Sequence, residues 1–213
     1  MITEPTVFVV DDDAAMRSSV RWLVESGGLR VEEFSSAREF LDQGDLNRAG
    51  CLVLDIRMPG KNGLELQAEL GDRDCHLPVL VVTGYADVPS VVRAMKSGAI
   101  DVLQKPCSDN ELMDRIRQAI DLDAKRRENR QQRTAFRQRL ATLTTREHEV
   151  LNLVVVGRSS KWVAQSLQIS EKTVEVHRSH ILKKLEVGGV AELVRLVTLS
   201  EQSEHELAGP AAR

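Results

Sequence analysis

Residues 51–60 read Cys51-Leu52-Val53-Leu54-Asp55-Ile56-Arg57-Met58-Pro59-Gly60, an apolar run that leads directly into an aspartate. A short, continuously apolar run is typical of a strand that is buried on both faces, as in a parallel sheet. The Met-Pro-Gly turn signal ends the run at once. Asp55 is therefore predicted to lie at the carboxyl end of a central strand, the edge at which open α/β sheets bind their ligands.

Two further apolar runs end in polar residues in the same way. Residues 6–10 are followed by the three aspartates 11–13, and residues 79–82 are followed by Thr83. Because the carboxyl ends of parallel strands meet at one edge of a sheet, these side chains are predicted to lie together. If Asp55 stood alone, a residue that merely ends a strand would be the simpler interpretation.

Strand and helix patterns alternate in five repeats up to about residue 120. This alternation predicts an α/β domain with a parallel sheet and helices on both faces. The flavodoxin-like strand order 2-1-3-4-5 would place the first and third strands side by side, and these are the strands that end in Asp11 and Asp55. Asp13 is expected to cap the helix that follows.

Carboxylates that crowd one edge of a sheet repel each other and need a neutralising cation. Mg²⁺ (or Mn²⁺) prefers oxygen ligands, and Mg²⁺ typically takes one or two carboxylates together with phosphate oxygens. Lys105, after the fifth strand, offers a positive charge suited to phosphate, and Thr83 offers a hydroxyl. A carboxylate can itself form an acyl phosphate, and Asp55, alone at its strand end, is the best candidate nucleophile.

Residues 1–120 resemble the receiver domain of bacterial response regulators. The motifs that carry the resemblance are Val10-Asp11-Asp12, Asp55 with Met58-Pro59-Gly60 and Gly63, Thr83-Gly84, Val88-Pro89 after Asp87, and Lys105-Pro106. The resemblance implies that Asp55 accepts a phosphoryl group from a sensor histidine kinase. It implies a metal site formed by Asp11, Asp12, Asp55 and the backbone carbonyl of Arg57. Thr83 and Lys105 would contact the phosphoryl oxygens.

Three residues form the candidate switch region, namely Tyr85, Val102 and Pro106, and two positions in and beside it depart from the family pattern. Val102 stands where the family often has an aromatic residue, and Cys107 stands where it often has phenylalanine. Either this protein lacks the switch in which an aromatic side chain changes rotamer, or a smaller movement of Thr83 and its strand takes the place of that change. Tyr85 follows closely after Thr83 and is a candidate for the switch; the alternative is an ordinary aromatic residue of the loop with no part in it. The resemblance also implies a cis bond before Pro106.

Residues 121–139 are polar and strongly charged, contain neither Pro nor Gly, and predict a helical linker that extends the last helix of the first domain. A basic arm that touches DNA and a helical dimer contact are the alternatives. The net charge of −3 conceals an acidic excess in residues 1–120 and a basic excess in residues 121–213. This asymmetry suggests that the second half meets nucleic acid.

Residues 140–200 carry four helical patterns, with the tight turn Gln168-Ile169-Ser170 between the second and third. Two short helices joined by a tight turn predict a helix-turn-helix, whose second helix enters the major groove of DNA. On a helical wheel, Val174, Ile181 and Leu185 share the face expected in the core. The opposite face comprises Lys172, Val176, Ser179 and Lys183, with Glu175 beside them. Without the preceding turn, an ordinary solvated face would be an equally good interpretation.

The second region resembles the LuxR-type DNA-binding domain that is joined to receivers in the NarL/FixJ class, and the FixJ branch is the most similar. The matching stretches are Leu143-Thr144-Thr145-Arg146-Glu147, Ser170-Glu171-Lys172-Thr173-Val174-Glu175-Val176-His177-Arg178 and Ala191-Glu192-Leu193-Val194. The resemblance implies base contacts from Glu175, Val176 and Ser179. Phosphate contacts would come from Lys172, Thr173, His177, Arg178 and Lys183. The fourth helix would supply a dimer contact through Val190, Leu193, Val194 and Val197.

These features together predict a transcription factor that is switched by phosphorylation and is not an enzyme. Its expected partners are a sensor histidine kinase, a double-stranded DNA operator, RNA polymerase and, after phosphorylation, a second copy of the chain. No apolar run approaches the roughly 20 residues that span a bilayer, so we expect a cytoplasmic protein without a membrane partner. Trp162 is expected in the core, and residues 201–213 are expected to form a flexible tail.

Two alternatives remain open at this stage. The first is a phosphate-independent DNA-binding regulator with a vestigial receiver, which only Val102 and Cys107 support. The second is an aspartyl-phosphate phosphatase or phosphotransferase that uses Asp55 as a turnover nucleophile.

Overall fold

The structure is a computed structural model that describes residues 4–73, 75–84 and 87–207, with side chains described as far as residue 198. Tyr85 and residues 208–213 of the expected tail lie outside the described residues. The chain divides into two compact units, Met1–Arg127 and Glu128–Arg213. The boundary therefore falls inside the segment for which the sequence predicts a linker.

The first unit contains a five-stranded parallel sheet in the order β2-β1-β3-β4-β5, which confirms the predicted order. The strands are β1 Thr6–Val10, β2 Arg30–Phe34, β3 Gly50–Leu54, β4 Val79–Thr83 and β5 Ala99–Gln104. The helices are α1 Ala14–Ser26, α2 Ala37–Gln43, α3 Gly63–Asp72, α4 Val88–Lys96 and α5 Asp109–Leu140, which continues beyond this unit.

The strands β1, β3 and β4 are buried at every residue because helices cover both faces of the sheet. Alternate residues face two separate apolar clusters, with Phe8 and Leu52 on one side and Val7 and Val53 on the other. In the β1–β3 register Val10 lies opposite Leu54. The next residues of both strands therefore emerge next to each other at the carboxyl edge.

The helix α1 begins at this edge with a capped first turn. The side chain of Asp13 accepts hydrogen bonds from the backbone N–H groups of Ala15 and Met16. The capping role that the sequence predicts for Asp13 is confirmed. Its carboxylate satisfies two of the donors that a helix N-terminus leaves without intrahelical partners.

The first turns of the predicted linker are anchored to the amino end of β3. Asp123 is buried and accepts hydrogen bonds from the Gly50 backbone N–H (2.9 Å) and from Arg127 Nε (2.6 Å). Arg127 also donates to the backbone carbonyls of Asn47 and Arg48 at 2.8 and 2.7 Å. This part of α5 is thus a structural part of the first unit.

The second unit is helical and consists of the end of α5 together with α6 Thr145–Val155, α7 Ser160–Leu167, α8 Glu171–Leu185 and α9 Val190–Leu207. The three residues predicted to form the buried face of the third helix, Val174, Ile181 and Leu185, are at most 2% exposed, so that prediction is confirmed. Helix α9 continues to Leu207, into the range expected as a tail.

The last turns of α5 belong to the core of this second unit. Phe136 is 2% exposed within its apolar cluster, and Leu140 packs against the same cluster. Arg139 donates to the carbonyl of Leu185 and forms an ion pair with Glu186, at the C-terminal end of α8. A basic side chain at this position is favourable because the last carbonyls of a helix carry partial negative charge.

Two predictions for the second unit are wrong. Leu193 and Val197 were expected at a dimer contact, but both are buried in the unit's own core, while Val190 and Val194 remain partly exposed. Trp162 was expected in the core but is 42% exposed, and its ring lies 4.9 Å from the Arg158 guanidinium carbon. Which face of a short amphipathic helix is buried depends on packing that periodicity alone does not determine.

Glu147 is the main buried charge of the second unit. It completes a capping box with Thr144, and its carboxylate accepts a hydrogen bond of 2.7 Å from Lys184 Nζ. Burial alone raises the pKa of this carboxyl, but the hydrogen bonds from Lys184 and Thr144 outweigh that effect and lower it from 4.5 to about 2. Its stabilising contribution is therefore complete above pH 4.5 and disappears as the pH falls toward 2.

We predict that Glu147→Gln lowers the free energy of unfolding of the second unit at pH 7 by about 1.5–3 kcal/mol, the usual value of a hydrogen bond to a charged group. The difference from wild type should shrink below pH 4.5. Urea denaturation followed by Trp162 fluorescence in a Trp22→Phe background measures it. Glu149→Gln, an exposed change on the same helix, should stay within about 0.5 kcal/mol. Equal effects of the two substitutions at pH 7 would contradict the assignment.

Candidate functional site

Asp11, Asp55 and Lys105 form a cluster at the carboxyl edge of the sheet. Lys105 Nζ lies 2.6 Å from Asp11 Oδ2 and 3.2 Å from Asp55 Oδ1. Both carboxylate residues are buried, at 5% and 6% exposure. The structure thus brings together three residues that the sequence assigns to one site, from the ends of β1, β3 and β5.

Backbone amides fix the remaining carboxylate oxygens of the cluster. Asp11 Oδ1 accepts a hydrogen bond of 2.9 Å from the Asp13 N–H, and Asp55 Oδ2 accepts one of 2.8 Å from the Arg57 N–H. Arg17 Nη1 also donates to the Asp11 backbone carbonyl at 2.7 Å, a contact that the sequence analysis missed. Both carboxylates are therefore held in a defined orientation.

Thr83 and Lys105 reach the same edge through the pairing of β4 with β5. The Lys105 N–H donates to the Thr83 carbonyl at 2.9 Å, and Thr83 is fully buried at the end of its strand. Asp12 follows Asp11 with an exposed side chain. The edge therefore combines buried carboxylates, a hydroxyl, an ammonium group and one accessible carboxylate.

The electrostatics of the cluster favour a cation. Burial raises the pKa of Asp55, and the Asp11 charge raises it further, against the opposing effects of Lys105 and the Arg57 amide. Burial lowers the pKa of Lys105, but hydrogen bonds and charges from the two carboxylates outweigh burial, so this pKa lies above its usual value. Lys105 therefore remains charged at neutral pH and compensates part of the local negative charge.

The donor set fits a hard divalent cation. Among the described residues no group of three or more His, Cys, Asp or Glu side chains forms a ready-made metal cage. Mg²⁺ needs no such cage, since it usually keeps several waters and binds through one or two carboxylates. Two fixed, buried carboxylates with an exposed third beside them match that requirement.

The switch region is described only in part. Val102 is half-buried and packs against an apolar cluster, and its backbone N–H donates a hydrogen bond to Asp101 Oδ1. The predicted cis peptide bond between Lys105 and Pro106 is confirmed, and Pro106 is exposed. The remaining switch candidate, Tyr85, is the one outside the described residues.

The predicted DNA-contact residues of α8 fall into two groups by exposure. The exposed members are Lys172, Glu175, Val176, Ser179 and Lys183, and the half-buried members are Thr173, His177 and Arg178. Thr173 Oγ1 is hydrogen-bonded to Ser170 Oγ at 2.8 Å. Arg178 donates to Ser160 Oγ in α7 at 2.7 Å.

Comparisons with known proteins match both units. A family model for the response regulator receiver domain matches residues 7–117, and a model for bacterial regulatory proteins of the luxR family matches residues 141–197. The chain belongs to the NarL/FixJ class of response regulators. This response regulator resembles Nodulation protein W of Bradyrhizobium diazoefficiens, with 42% identity over 95% of this chain and 90% of that protein.

Two further relatives support this assignment. The transcriptional regulatory protein FixJ of Azorhizobium caulinodans is 42% identical over 91% of this chain and 92% of its own length. The solved structure of the response regulator StyR has a TM-score of 0.79 and 44% identity, and the match covers 92% of this chain and 99% of that one. The response regulator is thus a transcriptional regulator of a family in which activation typically depends on phosphorylation.

We predict that Gly63→Ala destabilises the response regulator at its acidic site. A Cβ at Gly63, which begins α3, would lie 2.1 Å from the backbone carbonyl oxygen of Asp55, so the backbone must shift. The expected loss is about 1–3 kcal/mol of unfolding free energy, typical of overpacking. Urea denaturation followed by Trp22 fluorescence in a Trp162→Phe background measures it.

Gly71→Ala is the matched control on the same helix, because a Cβ there has no neighbour within 4 Å. It should be neutral or stabilise by about 0.5–1 kcal/mol. If both substitutions have the same effect, the close approach of Gly63 to Asp55 is not what limits this position.

We predict that Asp55→Asn stabilises the first unit at pH 7. Because the folded pKa of Asp55 is raised above 3.8, folding disfavours its charged form, and stability falls as the pH rises through the folded value. An amide removes this cost and should add about 0.5–2 kcal/mol, a gain that fades below pH 3.8. Asp13→Asn preserves a good N-cap and should change little. A lower stability of Asp55→Asn at pH 7 would contradict this account.

Proposed function

We propose that Asp55 is the phosphoacceptor of this response regulator. The observation that carries the proposal is the buried Asp11–Lys105–Asp55 cluster at the carboxyl edge of a parallel sheet. A carboxylate oxygen of Asp55 would attack the phosphorus of a phosphohistidine on a sensor kinase. The phosphorus–nitrogen bond would break, and the kinase imidazole would leave with a proton from solvent.

The surrounding residues have defined roles in this proposal. Asp11, Asp12, Asp55 and the Arg57 carbonyl would hold Mg²⁺ or Mn²⁺, which supplies charge neutralisation when bound. Lys105 would exchange its ion pair with Asp55 for one with the phosphoryl oxygens, and the Thr83 hydroxyl would donate to another of those oxygens. Such an exchange removes one of the contacts that hold β5 in place and thereby favours a second conformation.

The proposed output is binding to a double-stranded DNA operator through α8. The exposed α8 residues Lys172 and Lys183 carry the charge expected for phosphate contacts, and Val176 and Ser179 suit base edges. Half-buried Thr173 and His177 would contribute phosphate contacts from the edge of this face. RNA polymerase would be a further partner. A DNA operator as a partner implies a cytoplasmic site of action.

Phosphorylation is proposed to promote dimerisation. Three apolar side chains of α4 are exposed at 44–75%, namely Val88, Val92 and Met95, and a second copy of the chain could cover them. Val190 and Val194 on α9 are the remaining candidates for a contact between DNA-binding units. None of the described helices is long and apolar enough to cross a membrane.

The test is the response of the full chain to beryllofluoride with Mg²⁺, which mimics the phosphoryl group. Wild type should dimerise and bind operator DNA roughly 10-fold more tightly, a typical size for coupling between two sites, whereas Asp55→Asn should not respond. Asp13→Asn, the same chemical change at the same edge, should respond as wild type does. Response by Asp55→Asn would remove this residue as the phosphoacceptor. An unresponsive wild type would favour the vestigial receiver, and steady hydrolysis of an external phosphoester would favour a phosphatase.

A further inference from the structure

A polar network joins α7 to α8 on the face proposed to bind DNA. Ser160 Oγ donates to Glu175 Oε1 at 2.5 Å, and Arg178 Nη1 donates to Ser160 Oγ at 2.7 Å. Arg178 Nη1 also lies 3.7 Å from Glu175 Oε1. Ser160 is the first residue of α7, so the network connects the start of one helix to the middle of the other.

One oxygen of Glu175 is committed to this network and the other is available. The side chain of Glu175 is 61% exposed, whereas that of Arg178 is 27% exposed. Within the described part of the chain, Oε2 of Glu175 accepts no hydrogen bond. The carboxylate is therefore held through Oε1, on a side chain that remains largely exposed.

A carboxylate on a DNA-binding surface is repelled by the DNA phosphates. This repulsion is offset if a neighbouring cation compensates its charge and a hydrogen-bond donor of the DNA pairs with it. Arg178 supplies the cation. In the major groove, the donors on base edges are the exocyclic amines of cytosine and adenine. Within its base pair the adenine amine lies between two acceptors, adenine N7 and thymine O4, which would both repel a carboxylate, whereas the cytosine amine has an acceptor, guanine O6, on one side only. Guanine and thymine present acceptors at the corresponding position.

We propose that Glu175 selects cytosine at one position of each DNA half-site, and that Ser160 and Arg178 are positioning residues that fix its carboxylate. This assignment rests on the proposed function, since it requires that α8 enters the major groove. It changes the expected role of Arg178, whose guanidinium is engaged by Ser160 and Glu175 and supports base recognition rather than a phosphate contact.

The test is selection of binding sites from a randomised DNA library by the full chain, with and without beryllofluoride and Mg²⁺, followed by affinity measurements on single-base variants. Wild type should prefer cytosine over the other bases at one position by about 5- to 150-fold, the range of a good base contact. Glu175→Gln should switch that preference to adenine, because glutamine pairs with adenine N6 and N7.

Two further variants separate positioning from general stability. Ser160→Ala should reduce discrimination at that same position and leave other positions unchanged, and Ser160→Thr, which keeps the hydroxyl, should restore it. Lys183→Ala serves as a contrast. As a proposed phosphate contact, it should weaken binding to all sequences alike and lower the slope of log affinity against log salt by about 1.

Several outcomes would overturn the proposal. A uniform loss of affinity in Glu175→Gln, with the base preference intact, would show that the network is only a structural contact between the two helices. Unchanged discrimination in Ser160→Ala would remove its positioning role. If wild type enriches no sequence under either condition, the proposed DNA recognition fails as well. Enrichment that is independent of beryllofluoride would contradict only the proposed control by phosphorylation. The preference of Glu175 for cytosine would still be tested by the enriched sequences.

Discussion

The acidic site of the first unit depends on one interaction, the Lys105 ammonium between the carboxylates of Asp11 and Asp55. Two buried carboxylates at adjacent strand ends would repel each other strongly without a cation. The parallel sheet makes this proximity unavoidable, because Val10 and Leu54 are register partners and the next residue of each strand is an aspartate. The site is thus balanced by a charge that a phosphoryl group can compete for, which is a suitable starting point for a switch.

The strand β3 links this site to a second polar contact. Asp55 follows its carboxyl end, and at its amino end the Gly50 N–H donates to Asp123 of α5. Arg127 completes this contact through two backbone carbonyls of the preceding loop. A five-residue strand, buried throughout, therefore connects the proposed phosphoacceptor to the segment of α5 from which the chain continues into the DNA-binding unit. Any displacement of β3 would move both Asp55 and the contact between Gly50 and Asp123, since packed interiors transmit strain.

Much of the fold could be predicted because its decisive signals are local. Apolar runs that end in aspartates identified β1 and β3, and turn residues identified their limits. Contacts between residues distant in sequence carried no such signal: Asp123 and Gly50 are 73 positions apart, and Arg178 and Ser160 are 18 apart. A charged helical stretch looks the same whether its residues are solvated or, like Asp123, buried. The burial of Leu193 likewise depends on how α9 docks, which periodicity alone does not settle.

The central claim, that the acidic cluster stores a phosphoryl group on Asp55, is tested most directly by locating the modification. The full chain would be treated with a small-molecule phosphoryl donor and Mg²⁺, reduced with borohydride to trap acyl phosphates, and analysed by peptide mass spectrometry. The account predicts that reduction converts one aspartate to homoserine and that this residue is Asp55. Conversion at Asp11 or Asp12 instead, or at no aspartate, would contradict it.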